Sequence, residues 1–188
     1  MKRIFVIFIY FIANTLFSQN QEATIYFADG TSLDGFGMID GNKIKFRISL
    51  NDKPDSWDSD FVNGIKFYGF EFIADYEYAK INRSDSKPEL LRVLTKGNVS
   101  LYSTEIITAV MNSSGLGVNI SPYYNETTIY YLKKEADPFV KPFKGSFEKY
   151  TKEYFKDCPA LVRRIEERKF TKDNILELVD FYNDICSD

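Results

Sequence analysis

Apolar and polar side chains alternate most regularly between residues 43 and 48. Ile44, Phe46 and Ile48 fall on one face of an extended chain, and basic side chains fall on the other. A half-buried antiparallel strand requires this period of two. The segment therefore predicts a strand with one face in a core and the other face in water.

Short runs of β-branched and aromatic residues, separated by turn signals such as Asp29-Gly30, continue from Ala23 to about Lys134. The predicted strands cover residues 24–27, 33–39, 43–48, 62–68, 76–81, 90–95, 99–103, 105–111 and 128–133. Residues 51–60 are polar and predict a loop. About eight antiparallel strands at this spacing predict a sheet, a roll or a small barrel.

The apolar period changes to about 3.6 after a stretch at residues 135–145 that contains two prolines. Three one-sided stripes follow, and they predict two to three helices that pack on each other or on the sheet. The stripes consist of Phe147, Tyr150 and Tyr154, then Leu161, Val162 and Ile165, then Ile175, Leu178, Val179 and Tyr182. The predicted fold class is α+β, with an antiparallel β domain at 23–134, a linker at 135–145 and a helical part at 146–188.

The first residues have the pattern of a secretory signal peptide. Met1-Lys2-Arg3 is basic, residues 4–17 are overwhelmingly apolar, and a polar stretch begins at Ser18. A membrane-spanning helix needs about 20 apolar residues, so this run is too short to span. The pattern predicts cleavage between Ser18 and Gln19, with an uncleaved anchor as the alternative. The expected location is the periplasm, the cell envelope or the extracellular space, with no transmembrane span after cleavage.

Composition excludes several classes of function. The 188 residues are 44% hydrophobic and 27% charged, with a formal net charge of −3. This balance is typical of a globular protein and does not favour a nucleic-acid partner. The chain has no histidine, which removes the usual general base and the commonest metal ligand. We therefore expect a protein that is not an enzyme and that uses no cofactor or metal.

The strongest candidate ligand site is the acidic segment around Trp57, the single tryptophan. Trp57 with Asp55 and Asp58 could stack on a sugar ring or hold a cationic peptide group. A solvated acidic loop and a tryptophan folded back over the sheet are the simpler interpretations. The carboxylate spacing does not match an EF-hand calcium loop.

A second candidate surface is the polar face of the predicted strand at residues 43–48. Lys43, Lys45 and Arg47 would lie along one side of that strand. Three alternating cations could hold an anionic lipid or polysaccharide. The simpler interpretation is the solvated face of an amphipathic strand.

The two cysteines predict a disulfide between Cys158 and Cys186. An exported chain meets an oxidising compartment, and one pair of cysteines allows one intramolecular connectivity. Cys158 lies at the start of the second predicted helix and Cys186 at the end of the third, so an antiparallel pair brings them near each other. The third helix overshoots by about one turn, which fraying or a crossing angle would absorb. The absence of a Cys-x-x-Cys spacing argues against a redox pair.

Five motifs in this order resemble a known group of proteins. They are Asp29-Gly30-Thr31, Leu94-Thr95-Lys96-Gly97-Asn98, Tyr130-Tyr131-Leu132-Lys133-Lys134, Tyr154-Phe155-Lys156-Asp157-Cys158-Pro159 and Tyr182-Asn183-Asp184-Ile185-Cys186. Together with a leader ending in Ser-Gln, they resemble an uncharacterised group of small secreted proteins of Bacteroidota-type Gram-negative bacteria. The resemblance implies an envelope or extracellular location and implies no reaction.

The sequence thus favours a secreted or envelope protein that acts as a non-enzymatic protein- or surface-interaction module. Its expected partner is another envelope protein or a cell-surface glycan. The alternative is a glycan- or small-ligand-binding module that uses Trp57 and nearby tyrosines. A hydrolase that uses a pair of carboxylates is the third possibility.

Overall fold

The structure is a computed structural model that describes residues 20–82, 84–110, 123–135, 137–141 and 146–186. The predicted signal peptide at residues 1–18 lies outside the described residues. Within the ranges that the structure describes, nine strands precede three α-helices, and the pairings of the strands are antiparallel. The predicted α+β fold class is therefore confirmed.

The elements have the following bounds. The strands are β1 Gln21–Phe27, β2 Ser32–Asp40, β3 Lys43–Arg47, β4 Asp55–Trp57, β5 Val62–Gly69, β6 Phe72–Ala79, β7 Glu89–Thr95, β8 Val99–Val110 and β9 Tyr123–Lys134. The helices are α1 Phe147–Tyr154, α2 Pro159–Glu166 and α3 Ile175–Ile185, with a short 3-10 helix at Lys172–Asn174 before α3. The chain divides into two compact units, Met1–Ala74 and Asp75–Asp188.

The first unit contains strands in the order β4-β3-β2-β1-β5. Its inner face carries the buried side chains Ala23, Ile25, Ile44, Phe46, Ile65 and Phe67. Gly37 of β2 lies on the same face, where a Cβ atom would collide with the side chain of Ile65, two strands away. The missing side chain lets Ile65 of β5 reach over β2, so the described strands of this unit curl around their own core.

The second unit begins within β6, at Asp75, and contains strands in the order β6-β7-β8-β9, and its helices cover one face of this sheet. The main core combines Val99, Leu101 and Leu132 from the sheet with Phe155, Cys158, Leu161, Ile165, Phe170, Ile175, Leu178, Val179 and Tyr182 from the helical part. Tyr102 and Tyr131 alternate to the other face of the sheet, where Phe139 packs edge-on against them. Both faces of the sheet are thus covered near these residues.

Several strand boundaries differ from the predicted ones; β6, for example, begins at Phe72 rather than at residue 76. The predicted loop at residues 51–60 contains the short strand β4, which pairs with β3. Two predicted strands, 99–103 and 105–111, form the single strand β8, and β9 begins at Tyr123 rather than at residue 128. Residues 55, 56 and 125–127 of the missed stretches are polar and exposed, and a strand of exposed polar residues shows no apolar alternation.

Candidate functional site

Trp57 lies half-buried on β4, and its side chain is on the inner face of the first unit, opposite Ile44. Its indole ring contacts Phe27 edge-on at 5.3 Å between centroids and Phe61 at 6.2 Å. Edge-to-face pairs of this kind stabilise aromatic clusters beyond the area that they bury. The indole therefore helps to close the curled sheet.

The two aspartates predicted beside Trp57 have different surroundings. Asp55 is exposed on β4 opposite Phe46. Asp58 forms the turn that leads into β5, because its carbonyl oxygen accepts the N–H groups of Phe61 and Val62, each at 3.1 Å. Within the described ranges, no group of three or more Asp, Glu, His or Cys side chains is arranged to hold a metal ion.

The cationic residues of β3 lie on the outer face, as the alternation predicts. Lys45 forms an ion pair with Asp40 at 2.7 Å, and Arg47 donates from Nη1 to the carbonyl oxygens of Leu50 at 2.7 Å and Asp52 at 3.2 Å. Lys43 is exposed. Two of the three cations therefore hold local structure of the first unit.

Cys158 and Cys186 lie at disulfide distance, with their Cα atoms 5.7 Å apart. The predicted overshoot does not keep the cysteines apart, although α3 is longer than α2 by three residues, or about 4.5 Å at 1.5 Å per residue. Cys158 has a second role as the residue that caps α2, since its Sγ atom accepts the N–H group of Leu161 at 3.4 Å.

The most elaborate polar cluster surrounds Lys134 at the end of β9. Its ammonium lies 4.9 Å from the ring centroid of Tyr182, 5.2 Å from that of Tyr154 and 5.8 Å from that of Phe155. It also forms an ion pair with Asp157 at 2.8 Å, and the Tyr182 hydroxyl donates to the same carboxylate oxygen at 2.7 Å. The cluster ties β9 to the helical part.

Electrostatics of the Lys134 cluster follow from these contacts. Partial burial opposes the charge on Lys134, but the hydrogen bonds with Asp157 and Tyr182 outweigh it and raise the pKa of the ammonium. Partial burial likewise opposes ionisation of Asp157, and the hydrogen bonds from Lys134 and Tyr182 prevail and lower its pKa. Both groups are therefore charged and mutually satisfied at neutral pH, which fits a structural role. No spacing in the sequence indicates this cluster, because its members come from three distant segments.

A surface pocket of about 450 Å³ lies on α1 and α2. Charged side chains line it, and Lys152 at its centre forms ion pairs with Glu148 at 3.1 Å and Glu166 at 3.3 Å. These charges neutralise one another across the pocket. The lining therefore offers little of the apolar surface that holds most small ligands.

The most exposed apolar surface lies at the turn between β5 and β6. Phe70 is 90% exposed, Ile73 66% and Phe72 50%. These three residues, all in the first unit, are called the apolar tip below. Gly69 allows the ring of Phe72 to lie across the turn, because a Cβ atom at residue 69 would overlap that ring.

The turn that carries the apolar tip has unusual residues. Phe70 and Glu71 form the two-residue connection, and Glu71 has a φ of 64°. Glycine or asparagine is the usual choice at such an angle, because other side chains lose roughly 1–2 kcal/mol there. A fully exposed phenylalanine beside a strained glutamate is not what folding alone favours, so the turn is a candidate contact site.

Comparisons with known proteins add no assignment. No family model, no curated protein and no solved structure matches this chain. None of the helices in the described part of the chain combines the length and the apolar character needed to cross a lipid bilayer.

Proposed function

We propose that the chain is a secreted or envelope protein without enzymatic activity, and that it binds another protein through the apolar tip. The exposure of Phe70 carries the proposal. Burying one phenylalanine in a partner contributes roughly 1.5–3 kcal/mol, and a few such side chains dominate the affinity of many interfaces. Phe72 and Ile73 extend the same surface.

Charge favours a protein over a lipid surface as the partner of the apolar tip. Glu71 lies at the turn itself, between Phe70 and Phe72, and the whole chain has a formal net charge of −3. Anionic lipid headgroups repel carboxylates, so insertion of this tip into such a surface is opposed. A protein pocket with an apolar floor and a basic rim complements the tip.

The location rests on the N-terminal pattern of residues 1–18. Expression in a Gram-negative host is expected to yield an exported chain that has lost its first 18 residues. Intact-mass measurement of the exported protein checks this. Recovery of the full-length chain from the cytoplasm would contradict the proposed location. The glycan-binding role of Trp57 and the carboxylate-pair hydrolase stay predictions.

Site-specific crosslinking tests the proposed contact. A photoreactive phenylalanine analogue replaces Phe70 in cells that produce the protein, and Ile48 is replaced in a matched control. Ile48 is 62% exposed and directly follows β3, which is three strands away from β5 in the sheet order. We expect a discrete protein adduct from residue 70 and none from residue 48.

A second pair of variants separates the contact from folding. Phe70→Ser should abolish the adduct formed from an analogue placed at Ile73, whereas Ile48→Ser should preserve it. Both substitutions remove an exposed side chain, so neither should lower stability measurably. Equal adducts from residues 48 and 70, or adducts with lipid alone, would overturn the proposal.

A further inference from the structure

A two-stranded ribbon extends from the sheet of the second unit. β8 and β9 pair over their whole length, from Val99↔Lys134 to Val110↔Tyr123. β7 pairs with β8 only as far as Ser103. Residues 104–110 and 123–129 therefore form the ribbon, which is about 24 Å long at about 3.4 Å per residue.

The outer edge of β9 has a definite hydrogen-bonding phase. Leu132 exchanges two backbone hydrogen bonds with Val140, each at 2.8 Å, on the side away from β8. Because backbone groups alternate along a strand, every second residue from Leu132 directs its N–H and C=O groups the same way. Thr128, Glu126 and Tyr124 therefore carry the outward groups of the ribbon. They are called the open edge below.

β8 confirms this phase independently. The amide side chain of Asn183 binds both the N–H and the C=O group of Val99, each at 2.9 Å, so these groups point away from β9. Val99 and Leu101 then share one phase, and Leu101 pairs with Leu132. Residues that lie directly opposite each other in an antiparallel pair both point their backbone groups inward or both point them outward. Since Leu101 points away from β9, Leu132 must point away from β8.

The fold covers the edges of β8 and β9 at the base of the ribbon and leaves the open edge uncovered. Asn183 covers β8 at Val99, and Val140 covers β9 at Leu132. Among the residues that the structure describes, no strand pairs with the open edge. Residues 125–128 are exposed. Proteins usually protect such an edge with lysine, proline or a bulge, and the sequence of the ribbon contains no lysine or proline.

Charge identifies the chemistry of the occupant. The ribbon contains two charged residues, Glu105 and Glu126, and both are acidic. Glu105 lies opposite Thr128 and Ile107 opposite Glu126, so the two carboxylates share one face of the ribbon. A second copy of this chain paired along the same edge in the register centred on Glu126 would place the two Glu126 carboxylates opposite each other, which is destabilising. A basic strand would instead gain an attractive cross-strand pair.

We propose that the open edge of β9 binds an extended segment of a different protein, which adds as a further strand and places a lysine or arginine opposite Glu126. Backbone hydrogen bonds to Glu126 and Thr128 supply affinity, and the basic side chain supplies selectivity. This site is separate from the apolar tip and does not depend on the function proposed for it.

A phage-displayed library of random peptides, selected against the exported full chain, tests this site. Enriched peptides should alternate β-branched or aromatic residues with others and should carry a lysine or arginine. Thr128→Pro removes an outward N–H group and leaves the β8–β9 hydrogen bonds intact. The affinity of this variant for synthetic versions of these peptides should be at least roughly tenfold lower. Thr127→Ala, on the opposite face of the same strand, should bind them like the natural chain.

Glu126→Lys provides a second test that does not touch the backbone. This exposed substitution should leave folding unchanged and should shift the selected peptides from basic to acidic. Phe70→Ser should have no effect on peptide binding, so failure at the apolar tip and failure at the open edge are distinguishable. The proposal is overturned if no peptide is enriched or if Thr128→Pro binds the peptides as before. It is also overturned if sedimentation shows a dimer that Thr128→Pro dissociates, since the occupant is then a second copy.

Discussion

The side chain of Asn183 acts as a strand partner for Val99. Its Oδ1 atom accepts the N–H group of Val99 at 2.9 Å, and its Nδ2 atom donates to the C=O group of Val99 at 2.9 Å. Val99 is fully buried, so water cannot replace these bonds. One amide from α3 thus satisfies the first residue of β8 and attaches the last helix to the sheet.

Removal of this amide should destabilise the protein. Asn183→Ala leaves two buried backbone groups of Val99 without partners, at about 1–3 kcal/mol for each group. Asp184→Ala is the matched control, because it truncates the exposed neighbouring side chain on α3 and keeps the amide of Asn183. Urea unfolding under non-reducing conditions should show a lower midpoint for Asn183→Ala and a midpoint for Asp184→Ala close to that of the natural chain. Equal midpoints for the two variants would contradict the pairing.

Gly97 is expected to be coupled to the same amide. A Cβ atom at residue 97 would lie 2.6 Å from the Cγ and Nδ2 atoms of Asn183, so Gly97→Ala must displace that side chain. In the Asn183→Ala background the amide that Cβ would strike is gone, so Gly97→Ala should cause much less loss of stability there. A double-mutant cycle measures this coupling. Additive free energies of unfolding would show that Gly97 acts independently of Asn183.

Local patterns predicted local structure well in this chain. The alternation of Ile44 and Phe46 placed both residues in a core, and the apolar stripe through Leu178 and Val179 placed a helix face against the sheet. Each of these inferences depends on residues only a few positions apart. The disulfide distance between Cys158 and Cys186 followed from the same helices.

The long-range contacts had no local signal. Asn183 binds Val99 across 84 positions of sequence, and Lys134 meets Tyr182 only after the helices have packed. The sequence also does not indicate that Phe70 is exposed, because a phenylalanine next to a strand is more often a core residue. The tertiary fold decides whether such residues meet or stay exposed, and no periodicity in the sequence reports it.

Trp57 should contribute to stability through its two aromatic contacts. Trp57→Phe can keep an edge-on contact with Phe27, whereas Trp57→Ala leaves Phe27 and Phe61 without the ring between them. We expect Trp57→Ala to cost about 2 kcal/mol, less than the 3–5 kcal/mol of a fully buried aromatic residue, and Trp57→Phe to cost less still. Thermal unfolding followed by circular dichroism measures both. Unchanged stability of Trp57→Ala, together with lost binding to an oligosaccharide, would support the ligand-site alternative instead.

The exported protein should contain the Cys158–Cys186 disulfide. Mass spectrometry without reduction should show the two peptides linked and the chain lighter by two hydrogen atoms. The cysteines are 28 positions apart, and closing a loop of that size contributes roughly 3–4 kcal/mol in the chain-entropy model. Cys158→Ser should unfold like the reduced protein, because serine retains the capping contact with the N–H group of Leu161. Two free thiols in the exported protein would rule out the pairing.

The ion pair of Lys134 and Asp157 should make stability depend on pH in a defined direction. Asp157 has a lowered pKa in the folded chain, so its contribution is complete above its unfolded pKa of about 3.9 and disappears as pH falls through the folded value. Lys134 has a raised pKa, so its contribution is complete below about 10.4 and is lost as pH rises through the folded value.

Asp157→Asn tests how the stability depends on pH in the acid range. At pH 7 the variant should be less stable than the natural chain by under about 1 kcal/mol, because Asp157 is half-exposed and solvent screens the pair. The difference should vanish at a pH well below 4, where Asp157 of the natural chain is protonated. Glu153→Gln is the control, since its ion pair with Lys156 is exposed and screened by solvent, and it should change the pH profile less than Asp157→Asn does. Urea unfolding across the acid range measures all three proteins. A constant difference between Asp157→Asn and the natural chain down to the lowest pH would show that the carboxylate's charge does not stabilise the cluster.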